Sequence, residues 1–317
     1  MSKTILLTGA AGFIGFHVAK SLLERGDLVI GIDNLNNYYD VKLKQDRLAL
    51  LKKFNNFTFI QQSIEDSINV KEKIDVICHL AAQAGVRYSL DKPFEYEKSN
   101  MLGTLNIFEF ARHNKINKIV FASSSSVYGD SKDSPFKETQ KLDEPISLYA
   151  ATKKANELYA HVYNHLFKIK MIGLRFFTVY GPWGRPDMAP IKFAKGISQG
   201  EQIEVYNNGK MSRDFTYVQD IATGVISSID KVESVEFEII NLARGESVNL
   251  LDFISEIEKN MGKQAVKKYI PLQQGDVLAT SADISKAKNL LGYNPKTSVS
   301  EGVKNFVSWY KEYYKVN

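Results

Sequence analysis

Short apolar runs alternate with segments of helical periodicity through the first half of this chain, and this alternation restricts its fold more than any other feature. The runs are apolar throughout rather than at every second residue, which is typical of strands buried on both faces of a parallel sheet. Such strands are predicted at residues 4–8, 28–33, 57–61, 76–81, 118–123 and 170–176. Helices are predicted between them, at 13–25, 41–53, 100–114 and 148–167. This order predicts an α/β protein with a doubly wound parallel sheet, the Rossmann fold.

The sequence changes in character after about residue 177. Residues 181–187 are rich in glycine and proline, which interrupt regular structure. Beyond them, helices are predicted at 191–199, 218–230, 250–261 and 300–314, and strands at 201–206 and 237–242. We expect the strand at 237–242 to rejoin the main sheet. The Rossmann domain is therefore expected at 1–178 and about 214–244, and a smaller interleaved C-terminal α/β substrate domain at about 179–213 and 245–317.

Composition and charge argue against several classes of function. The net charge of +5, from 41 basic and 36 acidic residues, is spread without blocks, so no nucleic-acid partner is expected and an anionic small ligand is favoured. The single cysteine, Cys78, lies in an apolar run, which predicts a buried thiol and favours a reducing, cytoplasmic location. No uncharged apolar run approaches the roughly 18 residues of a membrane span. Glycines interrupt the first apolar stretch, so no signal peptide is expected.

Three glycines follow the first predicted strand and precede the first predicted helix. The spacing is Gly9-x-x-Gly12-x-x-Gly15, and such a turn lets backbone N–H groups approach a pyrophosphate at a helix N-terminus. The second strand ends in Asp33, whose carboxylate can accept hydrogen bonds from a ribose 2′-hydroxyl and would repel a 2′-phosphate. The pattern favours NAD over NADP. The alternatives are that the glycines serve only close helix–strand packing and that Asp33 is a turn residue beside Asn34.

A second chemical pattern lies further along the chain. Four serines at 123–126 follow an apolar strand, and Tyr149 and Lys153 stand four residues apart near the start of a helix, on one face. A tyrosine hydroxyl has a pKa of about 10, and lowering it by three units requires about 4 kcal/mol, which a nearby ammonium and an oxidised nicotinamide can supply. Ser124 can hold a substrate oxygen in line. The alternative is an ordinary surface tyrosine–lysine pair. No metal ligand set is predicted.

These features resemble the extended short-chain dehydrogenase/reductase superfamily, in its nucleotide-sugar branch. The resemblance covers nearly the whole chain and is carried by residues 8–17, 31–40, 79–89, 122–129, 147–157, 173–188, 213–217 and 274–277. The tyrosine-rich run at 36–40 and the GPWGRPDM loop at 181–188 are its most specific parts. The likeness implies NAD-dependent 4-epimerisation of a UDP-hexuronate, UDP-glucuronate to UDP-galacturonate, through a transient 4-keto sugar.

The resemblance also implies roles for individual residues. Tyr149 would be the base, Lys153 its partner and Ser124 the hydroxyl on the substrate. NAD would contact Gly9, Gly12, Phe13, Ile14, Gly15, Asp33, Asn34, Ser63, Ile64, Leu80, Ala81, Ala82, Asn100, Ser123, Tyr149 and Lys153. The UDP-sugar would contact Arg87, Ser124, Ser125, Ser126, Tyr149, Thr178, Arg185, Lys192, Arg213 and Asp276. Arg213 would bind the diphosphate; the alternative is a surface ion pair with Asp214.

Some positions depart from the superfamily pattern. Residues 62–64 read Gln-Ser-Ile where Gly-Asp-Leu is common, and Gln273 and Gln274 stand where an arginine is common. Arg213 would then neutralise the diphosphate with Lys192 or Arg87. Related 4,6-dehydratases and decarboxylases carry carboxylates where this chain has Ser125 and Ser126, which favours an epimerase. A neutral UDP-hexose 4-epimerase and a non-catalytic NAD-binding scaffold remain alternatives.

Two further expectations concern the sugar and the assembly. A 4-keto hexuronate is a β-keto acid, so an epimerase must hold its carboxylate away from the alignment that releases carbon dioxide. Thr178 and Arg185 are the candidates for this task, and the alternative for Arg185 is a surface arginine stacked on Trp183. The predicted helices at 100–114 and 148–167 are apolar on more than one face, which predicts a homodimer through them.

Overall fold

Seven parallel strands form the main sheet of this protein. The computed structural model describes residues 2–272 and 277–316. Its strands are β1 (Thr4–Thr8), β2 (Leu28–Asp33), β3 (Phe57–Gln61), β4 (Val76–His79), β5 (Lys118–Ser124), β6 (Lys170–Phe176), β7 (Thr178–Tyr180), β8 (Gln202–Val205), β9 (Ser212–Arg213), β10 (Phe215–Tyr217), β11 (Phe237–Leu242), β12 (Val248–Asn249) and β13 (Val266–Tyr269). Its α-helices are α1 (Phe13–Glu24), α2 (Val41–Leu51), α3 (Tyr88–Asp91), α4 (Pro93–Tyr96), α5 (Gly103–His113), α6 (Leu148–Phe167), α7 (Ala189–Gln199), α8 (Val218–Lys231), α9 (Leu250–Met261), α10 (Ser285–Leu291) and α11 (Val299–Tyr314).

The topology of the main sheet places a crevice where the strand order reverses. The order is β11–β6–β5–β4–β1–β2–β3, and neighbouring strands are parallel. Thr8 at the end of β1 pairs with His79 at the end of β4, and the order reverses between these two strands. Ligands of open α/β sheets bind outside the carboxyl ends of the strands at such a reversal. The predicted doubly wound α/β fold is confirmed, and so is the return of 237–242 to the sheet, beside β6.

Three of the four apolar cores among the described residues pack the main helices. One packs α1 and α8 on a face of the sheet, through residues such as Phe16 and Ile221. Another packs α5 and α6 on the sheet, through residues such as Phe108 and Ala160. A third joins α7, α9 and α11 around Phe253, apart from the main sheet. Within the described parts of the chain, no helix has the length and apolar character needed to cross a membrane.

The observed elements differ from the predicted ones chiefly at their ends. β4 stops at His79 rather than at residue 81, because the N–H of Ala81 donates to Thr8 Oγ1 at 3.1 Å. The helix predicted from residue 100 begins earlier, as a π-helical turn at Glu97–Leu102 that leads into α5. The short helices α3, α4 and α10 and the short strands β7, β9, β10, β12 and β13 contain too few residues to show a period, so the sequence does not predict them.

Candidate active site

A cavity of about 400 Å³ opens at the carboxyl ends of β1, β2 and β4 and brings the two chemical patterns together. Its walls include most of the predicted cofactor residues: Gly9, Gly12, Phe13, Ile14, Gly15, Asp33, Asn34, Ile64, Leu80, Ala81, Ala82, Ser123, Tyr149 and Lys153. Two others lie behind the wall. The buried side chain of Asn100 accepts a hydrogen bond from the N–H of Gln83 at 2.8 Å and donates one to its carbonyl oxygen at 3.0 Å. The Ser63 hydroxyl accepts a hydrogen bond from Asn34 Nδ2 at 3.1 Å.

The glycine turn has the shape of an anion cradle. Gly9 has a φ of +76°, and a Cβ atom there would lie 2.8 Å from the Ala81 nitrogen. A Cβ atom on Gly15 would lie 2.0 Å from the carbonyl oxygen of Gly9. Only glycine at position 15 therefore lets α1 pack this closely on the turn. Gly12 precedes the first residue of α1, where backbone N–H groups lack helical acceptors. The turn therefore serves close packing and also leaves N–H groups that suit a pyrophosphate.

The carboxylate of Asp33 shapes the next wall of this cavity. It accepts hydrogen bonds from the N–H groups of Ala11 at 3.0 Å and Leu35 at 2.9 Å, and so ties the glycine turn to the end of β2. Lys44 from α2 also lines the cavity, and its ammonium donates to the Asn36 carbonyl at 2.7 Å. Burial lowers the pKa of Lys44 to about 8, against the attraction of Asp33. The sequence patterns do not point to Lys44, which follows the family segment at 31–40.

The catalytic candidates meet where α6 begins beside the end of β5. Ser147 caps α6 by accepting a hydrogen bond from the N–H of Ala150 at 3.1 Å, which places Tyr149 in the first turn. Lys153, one turn later, is buried and donates to the Ala122 carbonyl at 2.9 Å. Ser124 ends β5 and contacts both cavities of the site. The three side chains converge as the spacing in the sequence predicts.

The surroundings set the protonation of this group. Burial raises the pKa of the Tyr149 hydroxyl, whereas a hydrogen bond with Ser124 and the positive charge of Arg185 act to lower it. Burial lowers the pKa of Lys153 to about 8, so its side chain is an ammonium in most molecules at pH 7. In the protein by itself Tyr149 is thus a phenol, and further positive charge is needed before it can act as a base.

A buried ion pair supports the floor of the site. Arg175 on β6 binds the carboxylate of Glu157 with two hydrogen bonds of 2.8 Å. The same carboxylate accepts a hydrogen bond from the Ser123 hydroxyl at 2.7 Å, and Arg175 also donates to the Tyr128 hydroxyl at 2.9 Å. Glu157 stands four residues after Lys153 on α6, so the pair fixes the helix to β5 and β6 below the reacting groups. The position of Glu157, one helical turn after Lys153, is the sequence signal that could have identified this residue.

A second cavity, of about 330 Å³, adjoins the first and shares Ser124 with it. Predicted substrate residues line it: Ser125, Ser126, Thr178 and Arg213. Arg213 donates to the carbonyl oxygens of Ser212 at 2.8 Å and Leu278 at 3.2 Å. Asp214 has no exposed surface and accepts hydrogen bonds from Thr216 and from three backbone N–H groups, so it is not half of a surface ion pair. Burial raises the pKa of Asp214 to about 6.

The other predicted diphosphate residues are more dispersed. Arg87 donates to the Tyr206 hydroxyl at 2.8 Å, and its guanidinium lies 4.2 Å from the centre of that ring. It thereby joins the loop after β4 to the end of β8. Lys192 is exposed on α7 and stands outside the residues that line the two cavities. Asp276, Gln273 and Gln274 lie outside the described residues.

Arg185 lies in the first cavity, on a loop between β7 and α7. Its side chain is 19% exposed and binds Asp187 with hydrogen bonds of 3.0 and 2.5 Å. The aromatic ring beneath it is Tyr38, with 5.7 Å from the guanidinium carbon to the ring centre. Trp183 packs instead against Trp309, with ring centres 5.5 Å apart. The alternative of a surface arginine stacked on Trp183 is therefore wrong.

Known proteins place this fold and site in a family. The sequence profile of the NAD dependent epimerase/dehydratase family matches residues 5–243. The chain is 57% identical to an uncharacterised protein of Methanocaldococcus jannaschii, over 98% of this chain and 97% of that one. It is 43% identical to a probable UDP-glucuronate 4-epimerase of Rhizobium meliloti, over 98% of this chain and 97% of that one.

A solved structure extends the comparison to three dimensions. The UDP-glucuronic acid 4-epimerase from Bacillus cereus, in complex with UDP-glucuronic acid and NAD, superimposes with a TM-score of 0.92 and 37% identity. The match covers 98% of this chain and 100% of that one. The fold is that of a dinucleotide-binding α/β enzyme. The chain belongs to the NAD dependent epimerase/dehydratase family, and its cofactor is NAD.

Proposed function

We propose that this protein is a UDP-glucuronate 4-epimerase, which interconverts UDP-glucuronate and UDP-galacturonate through a transient 4-keto sugar. The observation that carries the proposal is that Ser124 lines both cavities, whereas Tyr149 and Lys153 lie beside it in the first. One cavity contains the glycine turn and Asp33, and the other contains hydroxyls and Arg213. The proteins of Rhizobium meliloti and Bacillus cereus, which align with nearly the full length of the chain, are named as a probable UDP-glucuronate 4-epimerase and a UDP-glucuronic acid 4-epimerase.

The first cavity fits NAD. The glycine turn would hold the pyrophosphate against the start of α1, and Asp33 would accept hydrogen bonds from the adenosine ribose. Bound NAD supplies the hydride acceptor and donor for the sugar carbon, and a positive charge near Tyr149 when oxidised. Ser63 and Asn100 would act behind the wall, by fixing Asn34 and Gln83.

The chain itself manages the proton at the sugar hydroxyl. Tyr149 would take the proton from the C4 oxygen as a general base and return it as a general acid. Lys153, held by the Ala122 carbonyl, would stabilise the phenolate. Ser124 would donate to the C4 oxygen and polarise the transient carbonyl. Ser123 supports this arrangement through the carboxylate of Glu157.

The identity of the sugar depends on the groups around its C5 substituent. Ser125, Ser126 and Thr178 offer hydroxyl donors in the second cavity, and Arg185 offers a planar fork that matches a carboxylate. Arg213, with Arg87 or Lys192, would neutralise the diphosphate, and Asp276 would contact the sugar nucleotide. The neutral UDP-hexose alternative gives Arg185 no anion to bind besides Asp187.

The two parts of the chain divide the ligands between them. We propose that 1–178 and about 214–244 bind NAD, and that about 179–213 and 245–317 bind the nucleotide sugar. The separate core around Phe253 supports this division, since it joins α7, α9 and α11 without the main sheet. A cytoplasmic location is proposed on the basis of the fully buried free thiol of Cys78.

We propose a homodimer through α5 and α6. The exposed face of α6 carries Leu158 and Leu166, with 57% and 61% of their surfaces accessible, and Val162 between them. Leu102, just before α5, is also exposed. A partner that covers this apolar face would remove it from water.

Product analysis tests the proposed activity. The purified protein is incubated with UDP-glucuronate and, separately, with UDP-glucose, and the products are identified by mass and NMR. We expect UDP-galacturonate, of unchanged mass, as the main product, and at least about tenfold slower conversion of UDP-glucose, the scale of one missing hydrogen bond to a charged group. Arg185→Ala should lose most epimerase activity and release a UDP-4-keto-pentose. Faster conversion of UDP-glucose would favour the neutral hexose epimerase, and no conversion of either sugar would favour the scaffold.

A further inference from the structure

The loop that carries Arg185 is attached to the elements that surround NAD. His17 on α1 makes a hydrogen bond of 2.9 Å with the carbonyl oxygen of Pro182. Arg47 on α2 donates to the Trp183 carbonyl at 2.6 Å and to the Ala11 carbonyl in the glycine turn at 2.8 Å. Arg47 is fully buried. These polar contacts therefore hold the Arg185 loop in position relative to the cofactor site, in addition to the apolar core around Phe253.

A further contact links Tyr38 to Arg185 through the carboxylate of Asp187. The Tyr38 hydroxyl donates to Asp187 Oδ2 at 3.1 Å, and the same oxygen accepts from Arg185 Nη2 at 2.5 Å. Tyr38 belongs to the loop after β2, five residues beyond Asp33. Its hydroxyl fits against Gly85, where a Cβ atom would lie 2.4 Å from it, so a side chain at position 85 would displace the hydroxyl. The loop after β2 and the loop after β4 thus both determine where this hydroxyl lies.

The contact with Asp187 uses one edge of the guanidinium. Nε and Nη2 of Arg185 donate to the two oxygens of Asp187, which leaves Nη1 as the nitrogen that these bonds do not use. Burial raises the pKa of Asp187, but the charge and hydrogen bonds of Arg185 and Tyr38 more than offset this and hold it below its usual value. The carboxylate is therefore ionised and can fix the fork of Arg185, which lines the first cavity and interacts there with Tyr38 as well.

We propose that Asp187 and Tyr38 are positioning residues for Arg185, and that they decide how often the 4-keto sugar loses its carboxylate. This inference rests on the proposed function and extends it to two residues outside the reacting group. Asp187 orients one edge of the fork, and the Tyr38 hydroxyl fixes Asp187 from the cofactor side. The guanidinium then holds the sugar carboxylate while the ring turns over.

The consequence of a loose fork follows from the chemistry of β-keto acids. When the C5–C6 bond stands perpendicular to the C4 carbonyl plane, it breaks and carbon dioxide leaves. Its electron pair forms the C4–C5 enolate, which takes up a proton at C5 and gives a UDP-4-keto-pentose. The hydride taken from C4 remains on the cofactor. A fork that drifts from its position makes this alignment more frequent without removing Tyr149, Lys153 or Ser124.

Two substitutions test the inference with a ratio that the amount of folded protein does not change. Tyr38→Phe removes one hydroxyl, and Asp187→Asn keeps the shape but removes the charge that orients the fork. The measurement is the ratio of UDP-4-keto-pentose to UDP-galacturonate, formed from UDP-glucuronate and quantified by mass spectrometry. We expect the ratio to rise about tenfold in each variant, the scale of one hydrogen bond to a charged group. Tyr88→Phe is the matched control, since its ring packs on Tyr38 at 4.7 Å, and it should leave the ratio unchanged.

Each outcome distinguishes the inference from the proposed function. If both variants form the two products in the wild-type ratio, whatever their rates, Asp187 and Tyr38 do not position Arg185. A rise in Tyr88→Phe equal to that in Tyr38→Phe would also overturn the inference, because it would show a general effect of the aromatic cluster. If the wild-type protein does not convert UDP-glucuronate at all, the proposed function itself is wrong.

Discussion

Replacement of Lys153 by methionine tests the electrostatic part of the mechanism. Lys153 is buried, and its ammonium donates to the Ala122 carbonyl at 2.9 Å. Residues four apart on a helix have Cβ atoms about 6 Å apart. A unit charge about 6 Å from the phenolate oxygen, at an effective dielectric constant of about 20, would stabilise the phenolate of Tyr149 by about 2.8 kcal/mol. This energy corresponds to about two pH units. Because the loss of the ammonium raises the pKa of Tyr149, Lys153→Met should move the acidic limb of the kcat profile to higher pH by about that amount.

The assay is the rate of epimerisation of saturating UDP-glucuronate between pH 5 and 10. In the wild type burial sets the pKa of Lys153 at about 8 beside the neutral phenol, and the phenolate raises that pKa by the same coupling, so a second inflection is expected above pH 8. That inflection should be missing from Lys153→Met. Lys154→Met is the matched control, because Lys154 also lies on α6 but contacts Glu157 at 3.5 Å. An acidic limb that stays in place in Lys153→Met would refute the role of the ammonium.

Three other predictions follow from the same structure. Tyr149→Phe should keep NAD, measured in the supernatant after heat denaturation, but lose at least about 10²-fold in kcat; near-normal turnover would remove Tyr149 from the mechanism. Arg175→Met removes the guanidinium from the buried carboxylate of Glu157, which keeps Ser123 and Lys154 as partners, and should lower the free energy of unfolding in urea by about 3–5 kcal/mol; a change below about 1 kcal/mol would contradict the buried pair. The wild type should scatter light with twice the 35.8 kDa mass of the chain at micromolar concentration, and Leu158→Asp with Leu166→Asp should give the monomer mass; a wild-type monomer would contradict the dimer.

The main sheet, and the proximity of Tyr149 to Lys153, are the features that the sequence alone predicts. Strands buried on both faces contain continuous apolar runs, as β1 and β6 do, and β1, β2, β3 and β6 have the predicted bounds. Tyr149 and Lys153 come together because helical geometry alone brings positions i and i+4 to one face. The glycine turn is equally local, since a Cβ atom on Gly15 would collide with Gly9. These features depend on neighbours in the sequence.

The contacts that hold Arg185 depend on distant residues and show no pattern in the sequence. Tyr38 and Asp187 are 149 positions apart, and a single hydrogen bond joins them only after both loops have folded. Arg47 likewise contacts Trp183 across 136 positions. The family segments at 36–40 and 181–188 mark both loops as unusual, but the choice of partner for Arg185, Tyr38 rather than Trp183, is a matter of tertiary packing.

The most direct test of the central claim is the fate of the hydrogen on C4. UDP-glucuronate that carries deuterium at C4 is converted in ordinary water, and the UDP-galacturonate is isolated and examined by mass and NMR. Transient oxidation at C4 within one closed site predicts that the product keeps the deuterium, at C4 and with the opposite configuration, with no solvent hydrogen at C5. Loss of the deuterium to solvent, or exchange at C5, would contradict an epimerisation through the 4-keto sugar as proposed here.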